Sequence, residues 1–305
     1  MISRQSKKAL VTKKFNDFFY VDIQENLGYS EQNRFLCKSR KSLRFQNEFI
    51  YVGDEVDINQ IDYLQKTAVI TNVIKRKNLL KRPSVANISD IYITYSVREP
   101  KLNFSQISKL LINAEYLNVK VSLILTKCDL IDNEQRNSLV EKFKNWGYFP
   151  KTLNFNKSSD FINLITELKS NKCSILMGPS GVGKTTLLNK IIPNLNNPTS
   201  TVSLKIKRGK NTTRNVELFS LSSNSYIVDT PGFNLHKIEI FNNHLPLLFP
   251  EISNQVRNNK SRCKFNDCLH LDEPGCAIDK NFDRYEFYRN LISESKNQNY
   301  QNQGD

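Results

Sequence analysis

Eight consecutive residues carry the plainest chemical signal in the chain. Gly178, Pro179, Ser180, Gly181, Val182, Gly183, Lys184 and Thr185 fit the pattern G-x-x-x-x-G-K-[ST] in full. The apolar run Cys173–Met177 precedes them, and Thr186 to Ile192 can form a helix behind them. A strand, a glycine-rich turn and a helix start in that order make a phosphate cradle. The glycines let backbone N–H groups converge on an anion, and the helix N-terminus adds its positive end. Lys184 is expected to reach the outer phosphates and Thr185 to hold Mg²⁺, with Thr186 closing the phosphate-binding run.

Two downstream segments could complete such a site. Ser225 to Val228 reads as a strand ending in Asp229-Thr-Pro-Gly232. An acid at the carboxyl end of a neighbouring strand is where a second Mg²⁺ contact belongs, and the Gly232 amide could meet the γ-phosphate. Between cradle and acid runs Lys205 to Arg214, in which Thr212 or Thr213 is the candidate γ-phosphate sensor. The expected catalytic set is Lys184, Thr185, Thr212, Thr213, Asp229 and Gly232, with Thr185 and Asp229 on magnesium. Phe233 follows where many enzymes of this kind orient the attacking water with Gln. An apolar ring cannot do so, so intrinsic hydrolysis should be slow until a partner or another group completes the site.

The choice of base falls to a third segment. Val121 to Leu125 ends in Thr126, Lys127, Cys128 and Asp129. One carboxylate can accept from both N1–H and the 2-amino group of guanine, whereas adenine offers no matching donor pair and would leave the acid unsatisfied. Lys127 would lay its aliphatic stem along the base. Asp129 precedes the phosphate cradle, the reverse of the ordinary order. Strand–helix units can be cut and rejoined at surface loops without changing the site they build, so a circular permutation is expected.

Cys263, Cys268, His270 and Cys276 fall within fourteen consecutive positions. Three thiolates and one imidazole make a closed tetrahedral set with no position left for water, the pattern of one structural Zn²⁺. A disulfide reading leaves an odd thiol. Cys37, Cys128 and Cys173 stand alone and read as core or loop thiols.

These sites need a scaffold. Ala9–Val11, Phe18–Ile23, Arg34–Cys37, Phe49–Tyr51, Glu55–Ile58 and Ala68–Val73 read as short strands, with turns at Gly28, Gly53 and Asp54. Such spacing predicts a small all-β barrel of the oligonucleotide-binding type, or another small barrel whose aromatics are merely core. The pattern changes after Pro83. Strand runs at Asp90–Tyr95, Val121–Leu125 and Cys173–Met177 alternate with helical periodicity through Phe104–Leu117, Leu139–Phe143 and Phe161–Leu168, which predicts a mostly parallel sheet covered on both faces. From about 241 the strands stop. The predicted organisation is multidomain: a barrel over 1–80, a circularly permuted α/β P-loop domain over 81–240, and a mainly helical zinc domain with a polar tail over 241–305.

The chain has 305 residues, 39% of them apolar and 24% charged, enough for packed cores. Its 44 Lys and Arg against 30 Asp and Glu give a net charge of +14, the footprint of a polyanionic partner. The cations cluster at Lys38–Arg44, Lys75–Arg82, Lys205–Arg214 and Arg257–Lys264. Apolar runs fall far short of a bilayer span, and the basic start leads to no apolar leader segment, so the expectation is a cytoplasmic protein without membrane contact. A monomer is expected.

Taken in order, these motifs resemble the ribosome-small-subunit-dependent GTPase A family of circularly permuted GTPases. Val52-Gly-Asp54 and Arg76-x-Asn78-x-Leu80-x-Arg82-Pro83 look like that family's passage from barrel to GTPase, and Arg284-Tyr285 after the cysteine cluster also matches. The resemblance implies a barrel, a GTPase and a zinc domain that grip the 30S subunit and its rRNA, with subunit-stimulated GTP hydrolysis releasing the factor as GDP forms late in assembly. Thr126 stands where the family more usually has Asn, and Asn211 where it often has His. Its second base loop should fall near Asn154–Ser158, where no clean match is seen. Three other readings stay open at this point: an RNA-docking module whose nucleotide only tunes binding, a permuted GTPase of the large subunit, and a P-loop ATPase or kinase.

Overall fold

The structure, a computed structural model, describes residues 2–3, 5–23, 33–40, 43, 49–81, 83–192, 216–228, 242–258 and 262–301. The chain opens with six strands: β1 (Ile2–Ser3), β2 (Lys7–Phe15), β3 (Phe18–Ile23), β4 (Arg34–Ser39), β5 (Glu55–Asp62) and β6 (Thr67–Val73). β2 pairs antiparallel with β3 and β5, β3 with β4, and β5 with β6, while β4 and β6 run parallel. Those pairings close a five-stranded barrel, and β1 adds to the outside of β5. Val11, Val21, Phe35, Val56, Ile58 and Ile70 point inward and fill it. A small closed barrel has no free edges to protect, apart from what β1 covers.

The expected strand at Phe49–Tyr51 does not form. Asp54 turns the chain there: its Oδ2 accepts from the Tyr51 N–H at 2.8 Å, and its backbone N–H donates to the Tyr51 carbonyl. Gly53 sits at φ 89° with the Ala86 carbonyl so near that a Cβ would lie 2.2 Å from its oxygen, so only glycine fits. Arg76 closes the corner bidentately on the buried Asp54 carboxylate, at 2.6 and 2.8 Å. A hairpin not foreseen from the sequence follows, β7 (Leu79–Lys81) and β8 (Ser84–Ala86). Asn78 staples its base, giving to and accepting from the Ile88 backbone at 2.9 Å each way.

The second sheet contains β9 (Asp90–Ser96), β10 (Lys120–Thr126), β11 (Lys151–Thr152), β12 (Cys173–Met177), β13 (Leu218–Ser222) and β14 (Ser225–Val228). Its lateral order is β11-β10-β9-β12-β14-β13, parallel throughout except for the antiparallel edge β13. Helices α1 (Phe104–Tyr116) and α2 (Asn133–Asn145) cover one face, α3 (Ser159–Ser170) and α4 (Lys184–Ile191) the other. β9 is buried at all seven residues because both its faces are covered. Ile91, Ile93 and Tyr95 face one core and Tyr92 the other, as a period of two requires.

Among the described residues after 241 there is no strand. A 3₁₀ helix (Asn242–Leu248), α5 (Pro250–Asn258) and α6 (Tyr285–Gln301) gather Phe249, Ile252, Tyr288 and Ile292 against Ile112 of α1. Arg284 fastens this junction. It is buried, forks onto Glu251 at 2.7 and 2.5 Å, and lies 4.7 Å over the Trp146 ring and 4.9 Å over Phe249. No helix among the described residues is long and apolar enough to cross a membrane.

Candidate nucleotide-binding site and cysteine–histidine cluster

Parallel strands flanked by helices bind ligands at their carboxyl ends. That edge of the sheet is where the two distant sequence segments meet. The run 178–183 leaves the end of β12 and α4 starts at Lys184, with Gly183 as its N-cap at φ 97°. Gly178 is packed so tightly against β9 that a Cβ would stand 2.1 Å from the Thr94 carbonyl oxygen. Lys184 is buried and donates to the carbonyls of Gly178 and Pro179 at 2.8 and 2.6 Å, so its ammonium lies inside the curl of the loop. Val182 is buried beneath the loop, while Ser180, Gly181, Thr185 and Thr186 are exposed on its rim and on the first turn of α4.

Thr126 ends β10 two strands away, and it is fully buried. Its hydroxyl lies 2.6 Å from the Val182 carbonyl and 3.2 Å from that of Tyr95. The hydroxyl has one proton, so the shorter contact takes it. One bond thus joins the Thr126–Asp129 loop to the glycine-rich loop, 56 positions apart in sequence. Lys127 adopts a left-handed conformation at φ 56° and its Nζ donates to the Glu99 carbonyl at 2.6 Å. Cys128 is tucked under the loop, where burial pushes its thiol pKa up, while Asp129 faces solvent on the open side.

A residue that the motifs do not reveal completes this rim. Phe155 follows β11 and packs so closely on Gly183 that a Cβ there would lie 2.9 Å from its ring. It stands within the 154–158 stretch where the family resemblance puts a second base loop. The stretch is anchored by Leu153 N–H to the Leu125 carbonyl at 2.7 Å, and by the Asp160 carboxylate on the Asn154 N–H at 3.0 Å. A lone aromatic after a two-residue strand carries no pattern that marks it in advance. Thr212, Thr213, Asp229 and Gly232, with Asn211 and Phe233, lie outside the described residues. A cavity of about 600 Å³ lies elsewhere: Ser89, Lys120 and Cys173 place it at the amino ends of the strands, between sheet and barrel.

The Cys263, Cys268, His270 and Cys276 donor atoms all lie within 4.8 Å of one another, the one such group among the described residues. His270 turns Nδ1 toward the thiols, 3.6 Å from both Cys263 and Cys276 Sγ. Tetrahedral bonds of about 2.3 Å to sulfur and 2.0–2.1 Å to nitrogen put donor atoms roughly 3.6–3.8 Å apart, so the set fits a Zn-sized ion. Burial and the adjacent thiols push Cys268 up to about 12. Burial lowers His270, favouring the neutral imidazole that a metal needs. Glu273 holds the ligand loop by accepting from the Leu269 and Leu271 N–H groups at 3.1 and 2.7 Å, and Tyr285 of α6 donates to the His270 carbonyl.

Barrel, permuted α/β sheet and metal-fitting cluster together define a circularly permuted P-loop nucleotide-binding protein. The family model for RsgA GTPase matches residues 73–239, and the chain belongs to that family. It is 43% identical over 302 residues to "Small ribosomal subunit biogenesis GTPase RsgA" of Prochlorococcus marinus (strain NATL1A), covering 97% of this chain and 96% of the relative. The protein of the same name from strain NATL2A is 46% identical over 264 residues, 87% of this chain and 84% of the relative. The crystal structure of YjeQ from Thermotoga maritima superposes with a TM-score of 0.76 at 29% identity, covering 95% of this chain and 99% of that one. YloQ, described as a circularly permuted GTPase, gives 0.77 at 25% identity over 96% of each chain.

Proposed function

We propose that this protein hydrolyses GTP as a late-stage biogenesis factor of the small (30S) ribosomal subunit. It binds the subunit and its rRNA in the GTP state, and subunit-stimulated hydrolysis promotes its release. The observation that supports the reading is the 2.6 Å bond from Thr126 to the Val182 carbonyl, which joins the Thr126–Asp129 loop to the glycine-rich loop. Relatives carrying the subunit biogenesis name support the target.

In this reading residues 178–186 cradle the phosphates, Lys184 neutralises the outer ones, and Asp129 reads the guanine edge with Lys127 against the base. Thr185 and Asp229 would hold Mg²⁺, which would neutralise phosphate charge. Thr212 or Thr213 senses the γ-phosphate and Gly232 meets it. Cys263, Cys268, His270 and Cys276 hold one structural Zn²⁺. The proposed units are 1–80, 81–240 and 241–305. The barrel suits RNA: Lys7 and Lys38 lie 5.5 and 4.9 Å over the rings of Tyr63 and Phe18, which stand outside the buried core. The protein works in the cytoplasm as a monomer.

The test is multiple-turnover phosphate release from GTP with and without purified 30S subunits. Stimulation by 30S, and its loss in Lys184→Ala, is expected. Turnover that ignores 30S would reduce the protein to an RNA-docking module, and stimulation by 50S alone would redirect it to the large subunit.

A further inference from the structure

The hairpin β13–β14 lies in sequence between the two proposed nucleotide-sensing segments, and it also touches the barrel. β13 begins at Leu218, five residues after Thr213, and β14 ends at Val228, immediately before Asp229. Just ahead of β13, Glu217 forms an isolated antiparallel bridge with Lys13 of β2. Its carboxylate meets the Lys13 ammonium at 2.6 Å and the Arg34 guanidinium of β4 at 3.7 Å. The Lys13 and Glu217 side chains retain only 18% and 15% of their exposure, so solvent and salt screen them less than an open surface pair. Arg34 in turn holds Asp22 of β3 at 3.1 Å. Three adjacent barrel strands are therefore fastened to one hairpin of the GTPase sheet.

Building on the proposed function, we infer that Glu217 is a positioning residue that couples the guanine-nucleotide state to the barrel's hold on rRNA. Glu217 lies only four positions after Thr213, so a rearrangement at the γ-phosphate has at most about 14 Å of chain between it and the carboxylate. Lys13 and Arg34 follow a partly buried charge more faithfully than they would a solvated one. Arg34 passes the same displacement on to Asp22 of β3. Linkage makes the device reciprocal: rRNA on the barrel biases the switch as strongly as the γ-phosphate biases the barrel.

The experiment uses the full chain in wild-type form and as Glu217→Gln, Lys13→Gln and the double variant. Cosedimentation with 30S subunits gives the ratio of affinities with a non-hydrolysable GTP analogue and with GDP. Hydrogen exchange of β2 is followed in the free protein with each nucleotide. Each single variant is expected to cut the affinity ratio by about 5-fold or more, within the usual span of coupling effects. The double variant should match Glu217→Gln, because that change already removes the carboxylate that Lys13 pairs with. Nucleotide-dependent exchange of β2 should disappear in all three. A ratio preserved in Glu217→Gln, or weakening equal in both nucleotide states, overturns the relay and leaves the proposed function intact. If wild-type 30S binding ignores the nucleotide while β2 exchange still depends on both nucleotide and Glu217, the functional reading fails and the relay stands.

Discussion

Replacing Thr126 by Val tests whether the two halves of the proposed guanine site are held together by the bond described above. Valine keeps the shape of the side chain and exchanges the hydroxyl for a methyl group. The Val182 carbonyl then loses its 2.6 Å donor between two residues with no exposed surface. An orphaned buried acceptor costs about 1–3 kcal/mol, and a middle value of about 2 kcal/mol corresponds to roughly 30-fold in an equilibrium constant. Some of that cost falls on the free protein, so a rise in nucleotide Kd of about 5- to 30-fold is expected. GTP and GDP should suffer alike, because the bond supports base loop and cradle backbone rather than the γ-phosphate. Titration with fluorescent GTP and GDP reads the affinity, and a thermal melt without nucleotide reads the share borne by the fold. A variant that melts lower yet binds both nucleotides within about twofold of wild type would refute the reasoning and leave Thr126 as a packing residue.

Asp129→Asn is expected to move preference from GTP toward xanthosine triphosphate, since an amide can donate where the carboxylate accepted; competition binding reads it, and unchanged selectivity removes Asp129 from base recognition. Metal removal by a chelator should release the C-terminal helices from α1. Trp146, the one Trp of the chain, reports this directly, because its indole lies 4.7 Å from Arg284 and donates to Asp283 at 2.7 Å. A red-shifted emission is expected, and none after verified metal loss counts against a structural role for the ion. Arg284→Met leaves the Glu251 carboxylate buried without its partner, which costs about 3–5 kcal/mol. Denaturant unfolding should show that loss, and adding Glu251→Leu should recover much of it.

Much of this molecule is written in local pattern. The phosphate cradle is legible because G-x-x-x-x-G-K-[ST] encodes backbone conformations that need glycine, and Gly178 and Gly183 sit at φ 148° and 97° as that requires. The parallel core strands are legible because strands covered on both faces read as unbroken apolar runs. The cysteine cluster is legible because its ligands are close in sequence, so a short loop brings them together. The hairpin β7–β8 escaped notice because a three-residue strand leaves too little alternation to detect. Phe49–Tyr51 misled because its apolar residues suit a strand, while Asp54 and Arg76 bend the chain by contacts that propensity does not register.

By itself, then, the order of residues determined which local patterns are present: a glycine-rich phosphate-loop motif, an acid at the end of an apolar strand and a Cys₃His cluster. Only the tertiary structure decided how they stand to one another. The Thr126 hydroxyl on the Val182 carbonyl, the Phe155 ring on Gly183, Glu217 on Lys13 and Arg34 on the Asp22 carboxylate all join residues from different elements. Such contacts depend on which strand lies beside which, and strand neighbours are chosen by burial of whole faces rather than by any short run of sequence.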